Sequence, residues 1–483
     1  MMLGLYSLLM WLVQPLVRLK LRRRAVTEPL YGQNLDERFG RYAIAPQTDT
    51  QLIWIHAVSL GETRAAALLM EQMRKDQPGT RFLLTNGTAT GRAEGQKLLQ
   101  SGDVQVWQPW DSAAVVRQFL RHFKPRIGIL METELWPNLI ALARAQGVPM
   151  VLANARLSEK SFLQTQRFAW LAQPTYQALS AVWAQTAADA QRLKQVGAKY
   201  GAVFGNLKFD ATPDAAQWAA GRALRQHIGR PVLLFASSRD GEEVKFLNVI
   251  GKSSLLFSQI PDKFDIKNIV INKNNNANNL QIDNLNVFNL AQIVIVPRHP
   301  QRFEEVAQKI QTYGWALQRR SQSVHGFDGA RQVDDVQAGD KAPNDQLAEN
   351  QATQNPSQAE PVVWLGDSLG EMAFYYGLAD VALLGGSFEP FGGQNLIEAA
   401  ACACPVVMGP HTFNFAEAAE LALQAGAAQR APNMQSAVNV AAQWLADPAA
   451  RQQAAALAQG FAQQHQGATA KTAQAIWDLL QAR

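Results

Sequence analysis

Short apolar runs recur along this chain, each closed by a polar or glycine-rich loop and followed by a stretch of helical composition. Gln51–His56, Arg81–Thr85, Arg126–Leu130, Pro149–Ala153, Ala181–Ala184 and Gly201–Phe204 form one series. Pro231–Ala236, Ile293–Val296, Pro361–Leu365, Val381–Leu384 and Val406–Met408 form a second, which starts afresh after Asp210. Runs this short and uniformly apolar suit strands buried on both faces, and helices between successive strands require a parallel sheet. The predicted class is α/β. A chain of 483 residues exceeds what one core usually organises. Two Rossmann-like, doubly wound domains facing a cleft are therefore expected, at 35–215 and 225–483. Low-complexity segments at 250–290 and 321–360, rich in Asn and Gln, read as surface insertions in the second domain.

The N-terminus has a different character. Leu3–Leu19 is apolar except for Ser7, Gln14, Pro15 and Arg18, and Lys20, Arg22, Arg23 and Arg24 follow at once. The run is shorter than the roughly 20 apolar residues of a normal span. Charge after the apolar run, rather than before it, favours an uncleaved membrane anchor over residues 1–24 with the body in the cytoplasm. The alternative is a helix lying in the membrane interface, its basic end on anionic headgroups. The net charge of +5 suits an acidic lipid surface. No aromatic-basic motif for nucleic acid is present. The two cysteines, Cys402 and Cys404, lie in an Ala-rich helical stretch and read as small core residues, which excludes a disulfide framework or a Cys-rich zinc site.

Ligands of such sheets sit outside the carboxyl ends of the strands, so the loops there hold the candidate site. His56–Thr63 places Gly61 at an expected sharp turn and Glu62 at a helix start. That carboxylate is either a helix cap or a base, and the helix dipole should keep its pKa low unless it is buried. Met131–Asn138 offers Glu132 and Glu134, on one face if extended and separated if a turn intervenes. Asn154–Ser158 adds Arg156, and Gly205–Asp210 adds Lys208. In the second series, Arg298 follows one strand with a fork suited to phosphate or carboxylate. Gly366–Met372 follows another. Gly385–Glu398 joins Val381–Leu384 to a helix, with backbone N–H groups expected to point outward at an anion. Glu398 is positioned there to accept from two ribose hydroxyls.

In this order, these segments resemble the 3-deoxy-D-manno-octulosonic acid (Kdo) transferases of lipopolysaccharide synthesis, the lipid IVA Kdo transferases. The resemblance rests on the N-terminal anchor, His56–Arg64, Glu132–Asn138, Asn154–Ser158, Gly205–Asp210, Pro297–Arg302, Leu369–Glu371 and Gly385–Glu398. It covers the chain outside the two insertions. It implies the two-domain GT-B fold and inverting transfer of Kdo from CMP-Kdo to lipid IVA at the bacterial inner membrane, on its cytoplasmic side. Glu62 is implied as general base, taking the proton of the acceptor sugar's 6-hydroxyl, with Glu132 and Lys208 supporting the transition state. Pro297, Arg298, His299, Leu369, Gly370, Glu371, Asn395, Leu396, Ile397 and Glu398 match the CMP-binding loops. Ser59, Gly61, Arg64, Glu134, Arg156, Gly386 and Ser387 are expected to support donor or acceptor. No metal or other cofactor is implied, and no nucleic-acid partner. The chain departs from the family pattern at Ser237–Asp240, where a Thr-His type loop is expected, at Gln394, where His is usual, and at Ala399, where Pro is usual. The rival readings are another GT-B nucleotide-sugar enzyme, either a different transferase or a 2-epimerase, and a non-enzymatic lipid-surface protein.

Overall fold

Apolar strand residues point alternately to the two faces of a sheet, and helices cover both faces in each half of this chain. The computed structural model describes residues 2–47, 52–199, 201–254, 291–322 and 362–482. The expected insertions lie outside the described residues over 255–290 and 323–360. The chain divides into two units, Met1–Ala211 with His465–Arg483, and Thr212–Gln464.

In the first unit the strands are β1 (Ile53–His56), β2 (Phe82–Asn86), β3 (Val104–Trp107), β4 (Ile127–Met131), β5 (Met150–Ala155), β6 (Ala181–Ala184) and β7 (Gly201–Val203). They form a seven-stranded sheet of order β3-β2-β1-β4-β5-β6-β7, with every pair parallel. Trp54, Leu83, Leu130 and Leu152 pack on one face with Phe119, Phe123 and Leu139. Ile53, Ile55, Leu84, Ile129 and Val151 pack on the other with Leu69, Met73, Ile476, Trp477 and Leu480. The last three residues belong to the C-terminal helix Ala468–Gln481. The expectation that the second domain runs to residue 483 is thereby corrected. This helix buries its apolar stripe on the first sheet, and Asp210 accepts from the backbone N–H groups of Gly467 and Thr469 at its start.

In the second unit the strands are β8 (Val232–Ser238), β9 (Gln292–Pro297), β10 (Ala316–Arg319), β11 (Val362–Leu365), β12 (Val381–Leu384), β13 (Val406–Met408) and β14 (Ala428–Arg430). Their order is β10-β11-β9-β8-β12-β13-β14, again parallel throughout. Both sheets start in the middle and extend to both sides, with β11 inserted between β9 and the edge strand β10 in the second. The strand order therefore reverses between β1 and β4 and between β8 and β12. A reversal leaves a crevice at the strand ends, because successive connections cross on opposite faces. Cys402 and Cys404 follow the helix Leu396–Ala401 rather than lying in it, and both are buried free thiols. Burial pushes the Cys402 thiol up to about 12.

The N-terminal run forms one helix, Met2–Thr27, with Pro15 inside it. It is tied to the first unit by polar contacts. The Tyr6 hydroxyl donates to Asp111 at 2.9 Å, the Trp110 indole donates to the Met10 carbonyl at 2.8 Å, and Arg18 lies over the Phe39 ring at 3.7 Å. Leu5, Leu8, Leu9, Trp11, Leu12 and Leu16 are exposed. Among the described residues no helix is long and apolar enough to cross a membrane. Pro15, the early polar residues and the basic end interrupt the run, so the spanning form of the expected anchor finds no support here.

Candidate functional site

The reversal between β1 and β4 brings together the two loops that contain carboxylates. Ser59 caps the helix Leu60–Asp76, and its hydroxyl oxygen accepts from the Glu62 N–H. The Glu62 side chain turns back. Its Oε2 accepts from the Val58 N–H at 2.9 Å and its Oε1 from the Ser59 hydroxyl at 2.8 Å. This reciprocal arrangement satisfies donors that a helix start leaves open. Only 9% of Glu62 is exposed. The helix dipole was expected to hold its pKa low, but burial outweighs it. The carboxyl is raised above the usual Glu range, with the hydrogen bonds from Val58 and Ser59 opposing and the Glu132 charge adding to the rise. A raised pKa makes a better proton acceptor near neutral pH. Gly61 does not make the expected turn. It lies inside the helix with an ordinary φ, and a Cβ there would meet nothing nearer than Ser59 Oγ at 4.0 Å.

After β4 the chain turns at Glu132, whose φ of +58° is costly for a residue with a Cβ. The turn separates Glu132 from Glu134, the second of the two arrangements open from sequence. The Glu132 carboxylate takes the Lys208 ammonium at 2.9 Å. Lys208 sits in the short helix Leu207–Asp210, which is fixed at its start by Asn206 and by Asn154 Oδ1 accepting from the Leu207 N–H. Asn154 also has a left-handed φ, of +52°. Glu134 accepts from the Trp136 indole at 2.9 Å. Burial first, then the Glu62 charge, pushes its carboxyl up to about 7. Near neutral pH the cluster therefore carries less charge than three carboxylates suggest. His56, at the end of β1, is fully buried and held neutral, its pKa pushed down to about 3 by burial. Arg64 points away from Glu62, pairing with Glu94 at 3.3 Å in an exposed position. Arg156 is half-buried, and its backbone N–H donates to the Glu132 carbonyl at 3.2 Å.

Glu134 gives a pH prediction. Its pKa is raised in the folded chain, so the folded state binds the extra proton between the unfolded Glu value and about 7. Stability from this group is therefore greatest at low pH and falls as pH rises through that window. The change is on the order of 1 kcal/mol per pH unit at most. Glu134→Gln keeps an acceptor for the indole and removes the titration. Its melting temperature should exceed that of the unaltered chain at pH 8 and approach it at pH 5. A pH-independent difference would contradict this.

In the second unit the equivalent reversal lies between β8 and β12. β8 ends in a bulge at Ser237, φ +55°, and the Ser238 carbonyl accepts from the Arg298 N–H at 3.0 Å at the end of β9. Gly385 permits the close crossing, since a Cβ would come within 2.3 Å of the Ser237 carbonyl oxygen. The loop after β12 differs from expectation. Its N–H groups at Gly386 and Phe388 point inward and donate to the buried Glu242, at 2.8 and 3.0 Å. Ser387 is buried as well. Its hydroxyl donates to the Leu384 carbonyl and accepts from the Gly409 N–H at 2.7 Å. Ser387 thus holds the loop together from within.

Asn395 caps the helix Leu396–Ala401 by accepting from the Ile397 N–H at 3.1 Å. Leu396 and Ile397 are core residues, and Glu398 is half-buried. Pro297 closes β9, and Arg298 and His299 are exposed beyond it. Leu369 is 71% exposed, Gly370 has φ +79°, and Glu371 pairs with Arg320 at 2.9 Å. Of these residues, Leu369, Arg298 and His299 are exposed, while Leu396 and Ile397 are buried. Among the described residues, no group of three or more His, Cys, Asp and Glu is placed to hold a metal ion.

Residues 33–211 match the family model of 3-deoxy-D-manno-octulosonic-acid transferase (kdotransferase). The 3-deoxy-D-manno-octulosonic acid transferase of Bordetella pertussis is 41% identical over 489 residues, spanning 99% of this chain and 99% of that protein. The chain belongs to the Kdo transferase family. Among solved structures, the UDP-GlcNAc 2-epimerase from Neisseria meningitidis bound to UDP-GlcNAc is similar in fold, with TM-score 0.51 and 11% identity, covering 88% of this chain and 100% of that one. The C-terminal CMP-Kdo binding domain of WaaA from Acinetobacter baumannii is 25% identical, with TM-score 0.36, over 51% of this chain and 98% of that domain.

Within this Kdo transferase, three features of the site were missed from sequence. Glu242 and Glu243, at the start of the helix Glu242–Ser254, are both fully buried. Glu243 accepts from the Ser238 hydroxyl and from Arg302 at 2.6 and 2.9 Å. The third is left-handed backbone at Glu132, Asn154 and Ser237. All three lie at or just beyond the carboxyl ends of strands, and no local composition marks them.

Proposed function

We propose that this chain transfers Kdo from CMP-Kdo to a lipid A precursor of the lipid IVA type. The observation that carries the reading is the carboxylate cluster at the β1/β4 reversal, in a chain of this family. Glu62 is buried, has a raised pKa and lies beside the Glu132–Lys208 pair. In the proposed step the acceptor hydroxyl oxygen attacks the anomeric carbon of Kdo and gives its proton to Glu62. The bond from that carbon to the CMP phosphate oxygen breaks, CMP leaves with the electron pair, and attack from the opposite face inverts the configuration. Lys208 offsets negative charge on the departing phosphate or on the Kdo carboxylate. The loops at Pro297–His299, Leu369–Glu371 and Asn395–Glu398 receive CMP. The step is written without a metal or other cofactor.

The runner-up is an enzyme acting on a different nucleotide sugar, supported by the fold shared with a UDP-GlcNAc 2-epimerase. Thermal denaturation with nucleotides separates the two. CMP at about 100 times its dissociation constant should stabilise the chain by about 2.7 kcal/mol, whereas UMP and UDP at the same concentration should have far less effect. Equal or greater protection by UDP would favour the runner-up.

We also propose that the N-terminal helix lies in the inner-membrane interface on the cytoplasmic side. The exposed Leu5, Leu8, Leu9, Trp11, Leu12 and Leu16 are followed by exposed Lys20, Arg22 and Arg23. Binding to phosphatidylglycerol vesicles should exceed binding to phosphatidylcholine vesicles. Replacing Lys20, Arg22 and Arg23 by Gln should weaken it by about 1 kcal/mol per charge. Equal sedimentation with both vesicles would remove the electrostatic part of the reading.

A further inference from the structure

Arg239, in the loop Ser237–Asp240, and Gln394 meet over one glycine. A Cβ on Gly386 would lie 3.1 Å from Gln394 Nε2 and 3.4 Å from Arg239 Cγ. Arg239 is half-buried, and its guanidinium carbon sits 4.5 Å above the centre of the Phe391 ring. Stacking of this kind holds a guanidinium in place while leaving its N–H edge open to a ligand. The surrounding carboxylates are engaged elsewhere. Glu242 accepts from the backbone N–H groups of Arg239, Gly386 and Phe388. Glu243 pairs with Arg302, Asp240 with Arg302 and Lys309, and Glu389 with Lys245. Among the described residues, no carboxylate pairs with the Arg239 side chain. His299 lies within the field of Arg239, Arg298 and Arg302, which adds to burial in lowering its pKa. Arg302 is neutralised by Glu243 and Glu305.

We infer that Arg239 is a donor-binding residue of this chain, gripping an oxyanion of the nucleotide sugar beside Arg298 and His299 at the β8/β12 reversal. The inference rests on the donor reading given above. Two oxyanions of the donor share the required chemistry, the CMP phosphate and the sugar carboxylate. Both take charge-assisted hydrogen bonds from a guanidinium fork. Gln394 lies beside the arginine stem over the same glycine and contributes a neutral amide.

The test uses the full chain, titrated calorimetrically with CMP and with cytidine, together with the donor KM. Arg239→Gln keeps the stem and loses the charge, and Arg239→Lys restores charge without the fork. If the phosphate is the target, Arg239→Gln should weaken CMP binding about 10- to 100-fold, leave cytidine binding unchanged, and be partly rescued by Arg239→Lys. If the sugar carboxylate is the target, CMP affinity should hold while the donor KM rises by a similar factor with little change in kcat. Either result upholds the inference and locates the oxyanion. Unchanged CMP affinity and unchanged donor KM in a folded Arg239→Gln chain would overturn it and leave the donor reading intact. Absence of CMP binding by the unaltered chain would overturn the donor reading and this inference together.

Discussion

Glu62→Gln should lower kcat/KM for Kdo transfer by about 10²- to 10⁴-fold, the usual cost of losing a general base. The amide preserves most of what the carboxylate does for the fold. Its oxygen still accepts from the Val58 N–H, and the Ser59 cap on the Glu62 N–H is untouched. The stability change should stay within about 1 kcal/mol, and CMP should bind the variant as it binds the unaltered chain. The two roles of this residue are separable for that reason. Burial raises the Glu62 carboxyl above the ordinary Glu range, so the acid limb of the kcat/KM–pH profile should lie above the free-Glu value. That limb should disappear from the residual activity of Glu62→Gln. Near-normal turnover by the variant would reduce Glu62 to a helix cap and move the search for the base to Glu134, its neighbour in the cluster.

Lys208→Ala should lower kcat by about 10²- to 10³-fold, the range found for removing one preorganised donor to a developing negative charge. The Lys208–Glu132 pair is partly open, with side chains 28% and 19% exposed, so its contribution to stability should be about 1 kcal/mol or less. Loss of rate without matching loss of stability is therefore the expected signature. If the pair acts as one device, Glu132→Gln and Lys208→Ala combined should be little worse than the more damaging single change. The left-handed backbone at Glu132 points the same way, because a strained residue persists where its surroundings hold it for a purpose. Multiplying single effects would show that the two side chains act separately. Lys208→Ala within about threefold of the unaltered rate, set against the loss expected of such a donor, would show that the ammonium only positions Glu132.

The central strands were legible because each is an apolar run closed by a loop. Ile127–Met131 and Val381–Leu384 differ from expectation by a residue or not at all. Three other strands were not legible. Val104–Trp107, Ala316–Arg319 and Ala428–Arg430 are edge strands of three or four residues, and the last two mix Ala and Leu with Gln and Arg. An edge strand needs only one covered neighbour, so its composition carries little periodicity. The return of Ala468–Gln481 to the first sheet is a long-range contact that no local pattern specifies.

The same division holds in the site. Carboxylates and arginines at strand ends were visible as residue types at the right places. Which loop groups face inward was not, because that depends on Glu242 reaching across from the start of the helix Glu242–Ser254, after β8, to take the Gly386 and Phe388 N–H groups. The Gly385–Glu398 loop therefore keeps its shape through a buried carboxylate and a buried hydroxyl.

The most direct measurement is the mass of lipid IVA after incubation with this chain and CMP-Kdo, the donor being generated in the same tube because it hydrolyses quickly. The account predicts a lipid heavier by one or more Kdo residues, with release of CMP and product formation by Glu62→Gln slower by about 10²- to 10⁴-fold. A folded chain that leaves the lipid mass unchanged, while a working Kdo transferase converts it in a parallel tube, would contradict the account.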